Sequence, residues 1–168
     1  MSENTHDAES DCTAVLAAAD YPVFVVTTRA GAERSGCLVG FTAQVSIDPL
    51  RFLVGISKSN HTFGVAERAE RLVVQLLPHD RRALAELFGA ETGDEIDKFE
   101  RCAWRPGPGG LPILTDAAGW FSGPILERHD YGDHVGMLLA PDVGSAPASG
   151  VAVVRMADVE HLEPGHRA

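Results

Sequence analysis

The chain has 168 residues, 45% of them hydrophobic, and carries 24 acidic against 14 basic side chains for a formal net charge of −10. That length suits a single domain able to hide about 70% of its unfolded surface. The acidic balance excludes a nucleic-acid-binding surface, which needs clustered Lys and Arg to displace counterions. No apolar run approaches the ~20 residues of a bilayer span, and the opening MSENTHDAESD lacks the basic-then-apolar order of a secretory signal. The expected setting is therefore the cytoplasm, with no membrane and no nucleic acid as partner.

After a polar leader, residues 8–19 are Ala-rich and predict a short helix that stops at Tyr21-Pro22. Residues 1–20 thus form a leader, 21–162 one domain and 163–168 a frayed tail. The β-branched run at 23–28 reads as a strand, and residues 29–33 as the turn into a second strand over 35–47. Alternation divides that strand into an apolar face of Cys37, Val39, Phe41, Ala43, Val45 and Ile47 and a face of Leu38, Gly40, Thr42, Gln44 and Ser46. One face suits a core, while the other offers small and polar groups to a bound molecule. Asp48-Pro49 turns the chain into a third strand ending at Ile56, and Asn60 is placed to cap a helix over 62–69.

Residues 71–77 read as a strand, 80–88 as a short helix burying Leu84, Leu87 and Phe88, then 91–100 as an acidic loop and 105–112 as a Pro/Gly-rich connection. A hairpin follows, with strands over 120–129 and 134–140 around Tyr131-Gly132-Asp133, and residues 150–161 read as a closing strand. Six or seven strands in neighbouring hairpins with two or three short helices predict a mainly β fold, an antiparallel barrel with helical decorations. A parallel sheet is excluded by the lack of room for crossover helices between residues 21 and 56.

Candidate chemistry is sparse. There is no G-x-S-x-G elbow, no P-loop and no G-x-G-x-x-G fingerprint. Cys12, Cys37 and Cys102 form neither a CxxC pair nor a zinc spacing, and Cys37 reads as a small buried hydrophobe. His129, Asp130, Asp133 and His134 flank one hairpin turn, where loop polarity explains them without a metal; His134, opening a strand, is the member placed to face a ligand. The acidic loop lacks the order of oxygen ligands in a calcium loop, yet its Lys98-Phe99 pair could reach back over a pocket. Ser57, Lys58, Ser59, Asn60, His61 and Thr62 gather one cation and several hydrogen-bonding side chains at a strand end before a helix, an arrangement suited to phosphate.

Taken in order, these motifs resemble the flavin reductase-like, FMN-binding split-barrel family. The matching positions are Gly36, Val45-Ser46-x-Asp48-Pro49, the apolar strand ending at Ile56, the 57–62 turn, R-L-V-V-Q-L-L at 71–77, Asp97-Lys98-Phe99, Trp104 and Gly132-Asp133-His134. The resemblance covers residues 21–143. It implies a homodimer of split barrels that binds FMN or FAD, with NAD(P)H as co-substrate and a flavin-dependent monooxygenase as possible recipient. It further implies that Val39, Gly40, Phe41, Thr42 and Gln44 line the isoalloxazine, that Ser57, Lys58, Ser59, Asn60 and Thr62 take the phosphate, that Lys98 and Phe99 contribute to the cofactor site, and that His134 lies near the flavin's reactive side. Where the family carries T-A-S, this chain has Leu38-Val39-Gly40, so ring recognition shifts from hydroxyls to backbone N–H groups. The activity implied is hydride transfer from NAD(P)H to flavin; the alternative is a non-catalytic split barrel that stores flavin, haem or a deazaflavin. A pyridoxamine-phosphate oxidase-like activity is disfavoured by the lack of a dense Arg/Lys set.

Overall fold

The opening hairpin sets the geometry of everything around it. In the computed structural model, which describes residues 3–90 and 93–162 and side chains from residue 8 onward, β1 (Phe24–Ala30) pairs antiparallel with β2 (Glu33–Val39). The expected tail at 163–168 and Glu91 of the acidic loop lie outside the described residues. Gly31, at φ 61°, makes the tight turn between the two strands. The start of β1 is apolar on both faces because both are covered: Phe24 and Val26 face the barrel interior, while Val25, with Val23 just before the strand, faces a second layer built on α3 (Arg82–Ala90) and α4 (Met156–Val159).

The other strands of this sheet are β3 (Thr42–Ser46), β4 (Arg51–Ser57), β5 (Arg71–Leu76), β8 (Gly119–Asp130), β9 (His134–Leu139) and the short β10 (Val143–Ser145), while β6 (Trp104–Pro106) and β7 (Pro112–Leu114) form a separate hairpin. Every ladder among them is antiparallel, in the order β2-β1-β5-β8-β9-β4-β3 with β10 beside β8. β8 joins the two halves of the sheet: residues 119–124 pair with β5 and 125–130 with β9, with an irregularity between Ile125 and Glu127 that bends the strand. The sheet thereby curls into a half-barrel with few helices, as the sequence predicts. Leu72, Met137 and Leu139 are fully buried inside it, each contributing about 1.5–3 kcal/mol of hydrophobic stabilisation.

Four expectations need correction. The strand predicted over 35–47 is two strands broken at Gly40-Phe41. A Cβ at Gly40 would lie 2.5 Å from Met156 Cε, the movable end of that side chain, and 3.2 Å from Tyr21 Cε2, so a larger residue here would displace Met156 where the chain turns from β2 to β3. β3 then pairs with β4 alone, at the sheet edge. Phe41, Ala43, Val45 and Ile47 are consequently exposed, not part of the core face assigned to them; Ile47 is 85% exposed.

The connection at 105–112 contains a hairpin of β6 (Trp104–Pro106) and β7 (Pro112–Leu114), its turn made by Gly109 and Gly110 at positive φ. Three residues per strand are too few for alternation to reveal. Buried Gln75 fastens this hairpin to the barrel: its Oε1 accepts from Leu114 N at 2.7 Å and its Nε2 donates to Thr27 Oγ1 at 3.0 Å.

Residues 150–161 are not a strand. The chain crosses the ends of β1 and β5 through single bridges, with Val154 donating to the Leu77 carbonyl and accepting from Val23 N. The Asp158 carboxylate then accepts from Arg155 N at 2.9 Å and starts α4. The N-terminal helix α1 is longer than predicted, Glu3–Ala18, and its described side chains are all exposed, Val15 and Leu16 included. No helix among the described residues is long and apolar enough to cross a membrane.

Candidate functional site

A cavity of about 320 Å³ opens where the β2–β3 kink, the end of β4 and the α3–α4 layer meet. Ladder register brings its polar groups together. Ser57, the last residue of β4, stands opposite His134, the first of β9, so the turn after β4 and the β8–β9 hairpin lie side by side. Lys58 N–H donates to the Asp133 carbonyl at 2.9 Å and clamps the two.

The turn itself is locally determined. Asn60 N–H closes it on the Ser57 carbonyl at 3.0 Å, and the Asn60 side chain accepts from Thr62 N at 2.9 Å, capping α2 (His61–Ala66) as its sequence position predicts. Ser57 and Ser59 share a hydroxyl hydrogen bond of 2.9 Å. The Lys58 ammonium contacts both carboxylate oxygens of Asp130, at 2.8 and 2.7 Å. Lys58, with the Gly132 N–H after it, holds the Asp130 carboxyl below its ordinary range. Thr62 is buried behind the turn, its hydroxyl 2.9 Å from that of Ser35.

His134 is oriented by its neighbour. Its Nδ1 lies 2.8 Å from Asp133 Oδ1, and its ring meets that of Phe41 with centroids 5.0 Å apart. Nε2 has no partner among the described residues. The same contact depresses the Asp133 carboxyl. On the cavity wall Cys37 is buried, and burial pushes its thiol up to about 11 against the opposing pull of the Lys98 charge.

Of the residues singled out in the sequence, Val39, Gly40, Phe41, Ser57, Asn60 and His134 line this cavity. Lys58 and Ser59 belong to the same turn without lining it, and Thr42 and Gln44 lie farther along β3, the Gln44 amide donating to its own strand at Ser46 O. Lys98 and Phe99 are elsewhere. Lys98 is buried with Nζ on the carbonyls of Gly36 and Phe88, at 3.2 and 3.1 Å, and Phe99 packs edge-on between Phe88 and Trp104. They border a separate, smaller pocket with Arg34 and His61 instead of reaching over the large one.

Leu38, from the strand face read as ligand-facing, also lines it, and the structure adds lining residues that sequence reading passed over: Gly55, Gly89, Met156 and Val159. Two had a signal in being glycines inside apolar runs. A Cβ at Gly55 would press on Phe41 Cβ at 3.2 Å, and one at Gly89 on Leu38 Cδ2 at 3.0 Å. Met156 and Val159 come from the misread closing segment.

Chemically, the cavity joins apolar walls to a turn of hydroxyls, an amide and one ammonium, with a single imidazole at its mouth. It contains no nucleophile activated by a base, and among the described residues no three His, Cys, Asp or Glu groups converge as a metal site. Its volume is that of a small-molecule or cofactor pocket. The donor set fits a flat apolar body with an anionic tail, which is the form of a flavin nucleotide.

Comparison with known proteins points the same way. Residues 16–142 match the family model described as "Flavin reductase like domain". The chain is 31% identical over 131 residues to the 4-hydroxyphenylacetate 3-monooxygenase reductase component of Salmonella typhimurium, covering 77% of this chain and 75% of that protein. It is 32% identical over 130 residues to the FMN reductase (NADH) RutF of Methylorubrum extorquens, covering 77% of this chain and 62% of the relative. A Rhizobium meliloti relative named as a flavin reductase is 31% identical over 66% of this chain, which spans only 36% of its length. Among solved structures, an FMN-binding protein from Thermus thermophilus superposes with a TM-score of 0.73 at 26% identity, over 79% of this chain and 80% of the other.

Proposed function

The chain belongs to the flavin reductase-like family, and from that premise we propose that it reduces FMN or FAD at the expense of NADH or NADPH in the cavity beside His134. The observation that carries this reading is the shared rung of Ser57 and His134, which puts the hydroxyl- and amide-bearing turn after β4 and an imidazole at one cavity whose other walls are apolar. When bound, the flavin supplies the redox chemistry, taking two electrons and a proton from the nicotinamide, so the protein needs no nucleophile of its own.

The chain's residues then have binding and aligning work. Ser57, Ser59, Asn60 and Lys58 form the turn that would hold the phosphate. Gly40 keeps space beside Tyr21 and Met156, and its neighbours Val39 and Phe41 would lie along the ring system, recognising it through backbone groups. The Asp133 bond holds the His134 ring in one orientation, leaving Nε2 for the nicotinamide or the flavin edge. Thr62 supports the turn from behind through Ser35.

A homodimer suits the exposed edge strand β3 and its flanks, where Val45 together with Phe41, Ile47 and Leu50 leaves apolar surface uncovered. The Salmonella relative's name suggests that reduced flavin passes to a monooxygenase. A cytoplasmic setting suits three cysteines that are free in the structure. The direct test is loss of absorbance at the nicotinamide band when purified protein is mixed with each pairing of FMN or FAD with NADH or NADPH. Acceleration in at least one pairing is expected; none in any of the four would sink the reading. Light scattering in solution tests the dimer, and a monomeric mass would remove it.

A further inference from the structure

We propose that Asp130 competes with the flavin phosphate for Lys58, so that the nucleotide binds by displacing an internal carboxylate. This rests on the flavin reading above. Lys58 is the one cation in the 57–62 turn, and its ammonium is already engaged by both oxygens of Asp130 at 2.8 and 2.7 Å.

Both partners of the pair are held in place. Asp130 Oδ1 accepts from Gly132 N at 2.9 Å, and Lys58 N–H is fixed on the Asp133 carbonyl. The carboxylate therefore occupies Lys58 before any ligand arrives. Other donors nearby are committed elsewhere: Arg68 pairs with Glu33, the His61 ring lies between Asp94 and Glu33, and Arg128 donates to the Ala66 and Ala69 carbonyls. The Thr62 hydroxyl is likewise spent on Ser35.

The pair is also weak enough to open. The Lys58 and Asp130 side chains are 41% and 67% exposed, and ion pairs so open to water contribute little. A phosphate monoester carries between one and two negative charges, more than one carboxylate, and takes the ammonium when present. The exchange lets the phosphate bind, but some of its Coulomb energy goes into breaking the Asp130 contact. Asp130 thereby trims the affinity that the phosphate adds to flavin binding.

The test compares dissociation constants of FMN and of riboflavin, which lacks the phosphate, by flavin fluorescence titration. Asp130→Asn removes the charge and keeps the Oδ1 acceptor for Gly132 N–H. It is expected to tighten FMN about two- to fivefold and to leave riboflavin unchanged, a gain abolished in the K58A background and narrowed by salt. On the wild-type protein, the Asp130 carboxyl carbon resonance should move on adding FMN but not riboflavin, a readout that needs no variant to fold. Unchanged or weaker FMN binding in D130N, equal tightening of riboflavin, or a static Asp130 resonance would overturn the competition while leaving the flavin reading intact. Failure of wild-type protein to bind either compound would remove both.

Discussion

The ring of Phe41 stands 5.0 Å from the imidazole of His134, tilted by 53°, at the mouth of the cavity. Phe41 is 56% exposed, yet its backbone is fixed, because its carbonyl accepts from Gly55 N at 2.7 Å. The two rings form one wall held from both sides, by β4 behind Phe41 and by Asp133 behind His134. An aromatic contact contributes about 0.5–1.5 kcal/mol beyond burial. Phe41→Ala and His134→Ala should each lower kcat/KM for the nicotinamide about three- to tenfold on that scale. The double variant should lose less than the product, because the residues share a contact. Steady-state kinetics on the four proteins checks this, and fully multiplicative losses would show that the rings act separately.

Thr62 belongs to the phosphate-type motif in sequence, but in the structure its hydroxyl is buried against Ser35 at 2.9 Å. Thr62→Val should therefore act on stability more than on flavin affinity. Leaving the Ser35 hydroxyl buried without a partner costs about 1–3 kcal/mol. Adding Ser35→Ala should return most of that loss, since removing both polar groups is nearly neutral. Urea denaturation gives the stabilities and FMN titration the affinity; a large loss of affinity at unchanged stability would return Thr62 to the phosphate.

What was legible in the sequence was written locally. The apolar run through Val23 and Val25 gave β1, and Asn60 before an apolar helix gave its cap. The strand pairs followed from turns such as Asp48-Pro49 and Tyr131-Gly132-Asp133. The exposure of Phe41, Val45 and Ile47 was not legible, because it follows from β3 lying at the sheet edge with β4 as its one neighbour, a placement settled only in the folded chain. Lys98 misled for the same reason. Its burial is intelligible once the Gly36 and Phe88 carbonyls converge on it, and neither is a sequence neighbour. The cavity's polar half came from one turn and one strand start; its apolar half came from α3 and α4, joined to it only by packing.

Acid should destabilise the protein through its surface carboxylates. The Arg71 guanidinium holds Asp142 below its ordinary value of 3.8, Arg155 does so for Asp20, and Arg68 holds Glu33 below 4.5. A carboxyl with a folded pKa under its unfolded one adds stability that is complete above the unfolded value and is lost as pH falls through the folded value. These groups face water, so each contribution is small. The urea midpoint should stay nearly level from neutral pH down to about 5 and then drop. Asp142→Asn should shrink that drop, and an unaltered acid limb in this variant would remove Asp142 from the account.

Cys37 offers the opposite dependence. It is 1% exposed on the cavity wall, and burial raises its thiol to about 11, outweighing the Lys98 charge and the Thr62 hydrogen bond. With an ordinary value of 9.0 in the unfolded chain, the folded state keeps its proton over a range in which the unfolded state loses it. Stability from this group is therefore complete below 9.0 and lost as pH rises toward 11. The thiolate is the reactive form, so at pH 8 a disulfide-exchange reagent should label exposed Cys12 quickly and Cys37 only after urea is added. Cys37→Ala should flatten the alkaline limb of the stability curve. Rapid labelling of Cys37 in the native protein would mean that the cavity wall opens to solvent more readily than its packing allows.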